Sequence, residues 1–423
     1  FQSGCSTLQC TWAVQETVSY FLQNDSNVYC CLLDFSKAFD KVNFKELFTK
    51  LIERKIPFIL LKLLFFIYKH QQCYVKWNSK KSSMFSINNG VRQGAILSPC
   101  LFCVYLDTLM KELRESGLGC HIGGLFFGAL CYADDVILMC PSRESLQIML
   151  NICQKFADKH SMIFSTDPDP KKSKTKCMLF SKDNNLVVPQ LTLNGEKLPW
   201  VKKASHLGNN LTVELTKNKM GMNNSSDLLQ KRAIFFKKFH ELKQAYGQYS
   251  PELVCETIRI FGTAFYGSPL WSLDSEEHLK LNRSWNTMVK IVYDLPYETH
   301  KRFIESLTDF PHLQSMLHGR YIGFVENLKN SNKHEIKLLY QLCISNMRSN
   351  TGKNCQYLMN TYDIASVNGL FDEKLRIKAN RVNKLNEGEE WKPKMIKELT
   401  LVKRGLLENG LDSEVNKAFL KDI

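Results

Sequence analysis

The amino-acid sequence predicts an α+β fold in its first half and an almost wholly helical second half. Residues 28–34 form a continuous apolar run, which is typical of a strand buried on both faces at the centre of a sheet. Residues 124–140 have the pattern of a β-hairpin, whereas helical patterns dominate beyond about residue 208. We therefore expect a sheet with helices on its faces, followed by a helical region.

Length, composition and charge narrow the class of protein. The 423 residues, 44% of them hydrophobic, suffice for two or three domains. The 56 Lys and Arg against 42 Asp and Glu give a net charge of +14. This excess favours nucleic acid as partner before an anionic membrane surface, with a basic globular protein as the plain alternative. The longest apolar stretch, residues 56–68, is interrupted by Lys62 and too short to span a bilayer, so we expect no membrane association.

Local signals place the other elements. Residues 44–70 have a helical pattern that breaks at Pro57, and Ser98 is predicted to cap a helix that ends at Gly117. Asn194-Gly195 is a strong signal for a two-residue hairpin turn. Further helices are predicted at 145–160, 227–246, 251–265 and 276–294, with domain boundaries near residue 210 and near Pro296.

Asp34 is the first candidate for chemistry, because it ends the apolar strand. A carboxylate there is costly unless something compensates its charge. One interpretation is that Asp34 holds metal ions at the edge of the sheet. The alternative, equally supported by this segment alone, is that it caps a helix beginning near Ser36.

The adjacent carboxylates of Asp134 and Asp135 are the second candidate. They lie in the turn of the predicted hairpin, between apolar residues. Two neighbouring carboxylates repel, so either one has a raised pKa or both meet a cation, and oxygen ligands suit Mg²⁺. An ordinary turn is the alternative. If the hairpin lies beside the 28–34 strand, Asp34 and Asp134 face each other and can bridge two ions about 3.5–4 Å apart, the arrangement of two-metal phosphoryl transfer.

A glycine-containing loop before the Ser98 helix is the third segment. Gly90 and Gly94 lack side chains where a nucleotide or a backbone could approach. Arg92 offers a phosphate contact, and Gln93 a polar contact to a base or sugar. Taken alone, the segment is better interpreted as a plain loop before a helix.

Together, three motifs resemble a known family. DFSKAFD at 34–40, GVRQGAILSP at 90–99 and YADD at 132–135 are similar to motifs A, B and C of reverse transcriptases. Other segments resemble the branch of LINE-type, non-LTR retrotransposons: FQSGCST at 1–7, SKTKCMLF at 173–180, ASHLG at 204–208, FYGSPLW at 265–271 and LPYETH at 295–300. The resemblance also implies that this chain is a fragment lacking the front of the fingers and an endonuclease.

The resemblance implies a right-hand polymerase: partial fingers and a palm at 1–210, a helical thumb at 211–300 and a helical C-terminal region at 301–423. Asp34 and Asp134 become the principal metal ligands, supported by Asp135. Lys174 matches the motif D lysine, a general acid for pyrophosphate, although Lys171, Lys172 or Lys176 is an alternative counterpart.

Contacts to substrates follow from the same resemblance. Phe35, Phe39, Gln93 and Gly94 are expected to contact the nucleotide, with Phe39 as the steric gate against a ribose 2′-hydroxyl. Residues expected to contact template and primer are Gly90, Arg92, Leu207 and Gly208, the last two ending a 191–208 hairpin that resembles the primer grip, and Lys231 and Arg232 of the thumb. A solvated basic face on a packed helix is the alternative for the thumb residues.

The implied activity is RNA-directed DNA synthesis with two Mg²⁺ ions, for which Mn²⁺ is a possible substitute. The implied partners are an RNA template, a DNA primer and deoxynucleoside triphosphates, and the implied location is the nucleus and cytoplasm, as for a retrotransposon ribonucleoprotein. Two alternatives remain: a catalytically inactive, truncated nucleic-acid-binding remnant, and an RNA-dependent RNA polymerase, against which Phe39 argues.

Overall fold

The chain forms two compact units, which confirms the predicted change from mixed to helical structure. The computed structural model describes residues 6–183, 186, 189–216, 219–222, 225–247, 250–299 and 313–374. One unit comprises residues 1–223 with 332–339, and the other residues 224–331 with 340–423. Strands continue to Met222, beyond the predicted boundary near residue 210, and the division between the units follows Asn223.

A four-stranded antiparallel sheet forms the centre of the first unit. Its strands lie in the order β10-β1-β9-β8. Their bounds are β1 (Val28–Leu33), β8 (Ala129–Tyr132), β9 (Asp135–Cys140) and β10 (Lys176–Phe180). Strand β1 pairs with β9 on one side and β10 on the other, so the prediction of a central strand is confirmed.

Helices cover both faces of this sheet. The side chains of β1 are apolar on each face, so each face needs a covering layer. Val28, Cys30 and Leu32 pack with residues of α1 (Thr7–Gln23). Cys31 and Leu33 pack on the opposite face with residues of α2 (Phe44–Glu53), α4 (Ser98–Glu115) and α5 (Arg143–Lys159). Helix α5 begins where the hydroxyl of Ser142 accepts from the Ser145 N–H. A strand buried on both faces explains the lack of hydrophobic alternation in residues 28–34.

Short hairpins and a second small sheet complete the first unit. Two-stranded pairs are β2 (Gln72–Cys73) with β5 (Phe85–Ser86), β3 (Lys76–Trp77) with β4 (Lys80–Lys81), β6 (His121–Ile122) with β7 (Leu125–Phe126), and β11 (Thr192–Leu193) with β12 (Glu196–Lys197). A three-stranded sheet contains β13 (Lys203–His206), β14 (Asn209–Thr216) and β15 (Lys219–Met222). The turn at Asn194-Gly195 is confirmed.

Two local predictions near the helices have different outcomes. The break at Pro57 is confirmed, since α2 ends at Glu53 and α3 (Phe58–Lys69) begins directly after the proline. The predicted cap at Ser98 is wrong: Leu97 occupies the N-cap position, and Ser98 is the first residue of α4. Ser98 is nevertheless buried, and the next residue, Pro99, supplies the fixed φ that favours a helix start.

Helix α3 has an unusual surface for a helix of a folded domain. Its exposed large apolar side chains are Phe58, Ile59, Leu60, Leu63, Phe65, Phe66 and Ile67. Despite this composition it is short, and no helix in the described residues has the length and apolar character of a membrane span. An exposed apolar area of this kind marks an interaction surface more often than a solvent face.

The second unit is built from helices throughout its described part. They are α6 (Ser225–Tyr246), α7 (Pro251–Gly262), α8 (Glu276–Val292), α9 (Leu313–Lys329), α10 (His334–Ser345), α11 (Asn350–Tyr362) and α12 (Val367–Asp372), with α10 divided between the units. The helices predicted at 227–246, 251–265 and 276–294 are thus confirmed. The core of this unit includes Phe235, Phe239 and Trp285.

Trp271 joins several of these helices. Its buried indole N–H donates to the Asp227 carboxylate at 2.9 Å. The Asn354 side chain accepts from the Leu273 N–H at 3.0 Å and donates to the Trp271 carbonyl at 2.8 Å. The FYGSPLW segment therefore has a structural role, because it is hydrogen-bonded to both α6 and α11.

We expect Trp271→Phe to lower the free energy of unfolding by about 1.5–3 kcal/mol, because a hydrogen bond to a buried charged group is lost while most of the ring volume remains. The midpoint of urea unfolding measures this. Trp77→Phe, the same change at an exposed position, is the control, and equal midpoints for the two variants would contradict the assigned role.

Candidate active site

Asp34 lies directly beyond the end of β1, where two neighbouring segments hold its backbone. Its N–H donates to the Thr175 hydroxyl at 3.3 Å, and its carbonyl accepts from the Ser165 N–H at 2.8 Å. The cap alternative is excluded: residues 36–38 form a turn, and the next α-helix is capped by Asn43. The side chain of Asp34 therefore belongs to the edge of the sheet.

Asp134 lies in the two-residue turn between β8 and β9, and Asp135 is the first residue of β9. Tyr132 and Asp135 are the last paired residues of this hairpin. Ala133 has a φ of 57°, in the left-handed region that costs a non-glycine residue about 1–2 kcal/mol. The Cys131 thiol donates to the Ala133 carbonyl at 3.1 Å and so supports this turn.

Strand pairing brings the three carboxylates together. Leu33 is paired with Val136, so the next residues along the two strands, Asp34 and Asp135, end at the same edge. Burial raises the pKa of Asp34, Lys174 lowers it, and the charge of Asp134 raises it. Burial likewise raises the pKa of Asp135, with further increases from Asp134 and Asp34. The three acids predicted from separate motifs therefore interact with one another.

Lys174 is the lysine that reaches this cluster. Its Nζ lies 3.6 Å from Asp34 Oδ2, at ion-pair distance, while 70% of the lysine side chain remains exposed. Lys176 is paired with Leu32 within the sheet, and Lys171 and Lys172 lie in an exposed turn. Of the four lysines that the sequence left as alternatives, the geometry favours Lys174.

The residues present fit a divalent cation. Oδ2 of Asp34 is buried without a hydrogen-bond partner, and 28% of the Asp34 side chain is exposed. Within the described ranges no three His, Cys, Asp or Glu side chains enclose one point as a complete metal cluster. Mg²⁺ generally keeps several waters and binds through one or two carboxylates together with substrate phosphates, so an open carboxylate group suits it.

The two phenylalanines of the DFSKAFD segment lie in different environments. Phe39 is half-buried, and its ring stacks on Phe102 with centroids 4.8 Å apart and an interplanar angle of 16°. Phe35 is buried, stacked on Phe164 at 4.4 Å. The Phe39 ring is thus held rigidly with part of its surface accessible, whereas the Phe35 ring is a core residue that leaves only its backbone for a nucleotide contact.

The loop before α4 has one buried end and one exposed end. Gly90, with a φ of 90°, packs against the backbone of Asp40: a Cβ there would lie 2.8 Å from the Asp40 carbonyl oxygen. Its N–H donates to the Val42 carbonyl at 2.8 Å. A glycine is therefore needed at position 90 because this loop packs closely against the 34–42 segment.

Arg92, Gln93 and Gly94 are exposed at the other end of this loop. The Ala95 N–H donates to the Arg92 carbonyl at 3.2 Å, and Gly94 has a φ of 83°, as the third position of a type II turn requires. The space where a Gly94 side chain would lie is open within 4 Å. Accessible polar groups and an open backbone are compatible with a bound nucleotide.

Leu207 and Gly208 form the turn between β13 and β14 instead of ending a 191–208 hairpin, so that part of the prediction is wrong. Both have positive φ, 48° and 76°, which is typical of two-residue hairpin turns. Residues 192–197 form a separate hairpin, and the two are distinct because the chain between them, Pro199 to Val201, hydrogen-bonds to Cys177 of β10.

Lys231 and Arg232 lie on α6 in the second unit. Arg232 Nε donates to the Ser284 hydroxyl at 2.8 Å, and the guanidinium lies 5.7 Å from the Phe236 ring centroid. Lys231 Nζ lies 5.8 Å from the Tyr266 ring centroid. Both side chains are half-buried, and these contacts favour the packed-helix alternative for Arg232.

Three supporting residues escaped the sequence analysis. Thr175 anchors the Asp34 backbone, Cys131 supports the Ala133 turn, and Phe102 fixes the Phe39 ring. Phe102 carried a usable signal, since it belongs to the apolar stripe of α4. Thr175 and Cys131 carried none, because their roles depend on partners that only the folded chain supplies.

Solved telomerases are among the structures that resemble the chain. Apo telomerase from Candida tropicalis is 13% identical, with 88% of this chain and 56% of that chain covered and a TM-score of 0.38. Telomerase from Candida albicans, in complex with a TWJ fragment of telomeric RNA, is 11% identical, with 86% and 52% covered and a TM-score of 0.33. TM-scores this low do not establish a shared fold.

Curated relatives come from retrotransposons. A retrovirus-related Pol polyprotein from type-1 retrotransposable element R2 of Nasonia vitripennis is 32% identical over 124 residues, 29% of this chain and 12% of the relative. The corresponding polyprotein from type-2 element R2DM of Drosophila melanogaster is 30% identical over 123 residues, again 29% and 12%. The RNA-directed DNA polymerase from mobile element jockey of Drosophila funebris is 26% identical over 193 residues, 44% and 20%.

The chain thus spans 12% to 20% of the length of these relatives. Residues 1–211, which contain all three carboxylates, match the family model "Reverse transcriptase (RNA-dependent DNA polymerase)". The motifs, the sheet-edge carboxylates, the family match and the relatives agree, and the chain belongs to the reverse transcriptases of non-LTR retrotransposons.

Proposed function

We propose that this chain is the catalytic core of an RNA-directed DNA polymerase that extends a DNA primer on an RNA template with deoxynucleoside triphosphates. The observation that carries this proposal is the meeting of Asp34, from one strand end, with Asp134 and Asp135, from the adjacent hairpin. Nucleotidyl transfer needs concentrated negative charge that can hold cations beside a triphosphate. The family of residues 1–211 supports the same chemistry.

Asp34, Asp134 and Asp135 are the residues that would hold two Mg²⁺ ions, with Mn²⁺ as a possible substitute. When bound, these ions supply activation of the primer 3′-hydroxyl and neutralisation of the triphosphate charge. The carboxylates themselves fix where that charge is placed, because the Asp34 backbone is held by the Ser165 N–H and the Asp134 turn by the Cys131 thiol. Oδ2 of Asp34 is buried and has no hydrogen bond, although Lys174 Nζ lies 3.6 Å away, so a cation bound there would compensate its charge further.

Lys174 has two functions in this proposal. Beside Asp34 it favours the ionised carboxylate and so keeps the ligand ready at lower pH. It also holds a proton close to the site from which pyrophosphate leaves, as a general acid must. A flexible lysine with an exposed side chain can move between these two positions.

Nucleotide selection is assigned to the segments that flank the carboxylates. The Phe39 ring, immobilised by Phe102, would collide with a ribose 2′-hydroxyl, and Gln93 and Gly94 would line the nucleotide. Arg92, the Leu207-Gly208 turn and Lys231 would contact template and primer, with Gly90 and Arg232 acting through packing. The cysteines in the described part of the chain are free thiols, as is typical of proteins in the nucleus and cytoplasm, which is the proposed location.

Asp34→Asn and Asp134→Asn should each lower primer extension on an RNA template by at least about 100-fold, since even outer-shell changes at metal sites cost about 10–100-fold. Asp158→Asn, an exposed aspartate on α5, is the control and should retain activity. Extension that survives Asp134→Asn would refute the site. Salt-dependent RNA binding without any extension by the unaltered chain would instead favour the inactive-remnant alternative.

Lys174→Gln should move the acid limb of the pH profile of kcat/KM to higher pH. Asp34 must be ionised to act as a ligand, and its pKa, already raised by burial, rises further once the cation that lowers it is removed. Steady-state kinetics across the acidic range measure the shift, with Lys171→Gln as control. An acid limb in Lys174→Gln that coincides with the unaltered chain would contradict the ion pair's role.

Phe39→Val should lower the preference for deoxynucleotides over ribonucleotides by about 10- to 100-fold, the range that shape alone discriminates for one hydroxyl group. Phe39→Tyr keeps the ring and should keep the preference. The measurement is the ratio of kcat/KM for the two nucleotide classes. Equal ratios in Phe39→Val and the unaltered chain would argue against the steric gate, and a ratio near one in the unaltered chain would favour an RNA-dependent RNA polymerase.

A further inference from the structure

The segment 54–106 has a charge distribution unlike the rest of the chain. It contains no Asp or Glu and eight basic residues, which are Arg54, Lys55, Lys62, Lys69, Lys76, Lys80, Lys81 and Arg92. More than half of the net charge of +14 thus comes from an eighth of the sequence. In the described part of the chain, the ion pair that involves these eight residues is Arg54 with Asp107. The positive charge of this segment is largely uncompensated.

Residues 74–86, termed here the basic hairpin, present this charge on an ordered structure. Strand β3 pairs with β4 through a turn at Asn78-Ser79, and β2 with β5 pairs at the base. The Ser82 N–H donates to the Val75 carbonyl at 2.9 Å, and the Ser82 hydroxyl accepts from the Val75 N–H at 2.9 Å. Every residue from 74 to 86 is exposed.

Aromatic side chains alternate with the lysines on the basic hairpin. Trp77, next to the turn, is 79% exposed, and Tyr74 and Phe85 are exposed nearer the base. Lys81 Nζ lies 4.9 Å from the Tyr74 ring centroid. A small hairpin gains little by holding large apolar rings in water, so these rings indicate a surface that a partner covers.

The chemistry of that partner follows from the combination of side chains. Lysines without acidic neighbours select a polyanion, and accessible aromatic faces offer stacking platforms. In a duplex the bases already stack on one another, whereas unpaired bases can stack on a protein ring. An acidic protein would match the charge but would not need the exposed indole face.

We propose that the basic hairpin binds single-stranded nucleic acid that passes around its tip, with a base stacked on Trp77 and phosphates contacting Lys80 on that face and Lys76 and Lys81 on the other face. This binding does not need the carboxylates of the candidate active site. A second contact of this kind would hold an unpaired strand on the protein while the active site acts on another part of it. It therefore extends the proposed function without depending on it.

The first test measures binding of a labelled, unpaired oligonucleotide of about ten nucleotides by fluorescence anisotropy, with EDTA present and nucleotides absent. Trp77→Ala in the full chain should weaken binding roughly 5- to 150-fold, the range for loss of one stacked base, whereas Trp77→Phe should bind nearly normally. Tyr297→Ala, at a tyrosine that is also 79% exposed but lies in the second unit, is the control.

The second test separates the lysines from general charge. Replacing Lys76, Lys80 and Lys81 together by Gln should reduce the slope of log affinity against log salt by about 2, since each phosphate contact to a single strand contributes about 0.7. The control replaces Lys45, Lys111 and Lys155, exposed lysines on α2, α4 and α5, by Gln and removes the same net charge. Equal effects of the two triple variants would overturn the proposal.

Two further measurements test where on the chain the single strand binds and which kind of ligand depends on Trp77. A single strand containing 5-iodouridine should crosslink to residues 74–86, and crosslinks found only elsewhere would overturn the assignment. Trp77→Ala should leave the binding of anionic lipid vesicles, and of a duplex of the same sequence, unchanged. If it weakened the binding of vesicles or of duplex more than the binding of the single strand, that ligand would replace the proposed one. Asp134→Asn should bind the oligonucleotide normally, so loss of catalysis and loss of this site are distinguishable.

Discussion

The negative charge that three aspartates concentrate at one edge of the central sheet is the constraint on which the first unit depends. Burial and mutual repulsion raise the pKa of Asp34 and Asp135, so their ionised forms are less favourable in the folded chain than in the unfolded one. The resulting loss of stability is present above the folded-state pKa and disappears as the pH falls through it. A divalent cation would offset this loss at neutral pH, because it binds only where the carboxylates are assembled.

The surrounding structure keeps these charges in place by rigid means. Strand β1 is paired on both sides and covered on both faces, so the position of Asp34 follows from a buried central strand. Thr175 and Ser165 fix its backbone, and the Ala133 turn is held in a left-handed conformation that most alanines avoid. Ligands on strand ends and tight turns are positioned more accurately than ligands on long loops.

Much of this arrangement could be predicted from the residues alone. The apolar run of β1 and the Asn194-Gly195 turn are local signals that lie where they were expected. The Asp-Asp pair also lies in a hairpin, but this hairpin begins at Ala129 instead of residue 124, and Asp135 belongs to its second strand instead of its turn. Long-range partners were not predictable in the same way. Whether Asp34 caps a helix or joins the carboxylates depends on residues more than a hundred positions away, and the burial of Phe35 depends on Phe164. The strands from Asn209 to Met222 were also missed, because the helical patterns beyond them dominated the interpretation.

The exposed apolar face of α3 lies in the same acid-free segment as the basic hairpin, and this has a practical consequence for handling the protein. At low ionic strength, like charges keep neighbouring molecules apart and oppose contact between their apolar helices. Added salt screens that repulsion, and salting-out anions such as sulfate strengthen apolar association further. Concentrated stocks of the chain should therefore be most dispersed in dilute buffer, the reverse of the high-salt conditions customary for stripping polyanions from basic proteins.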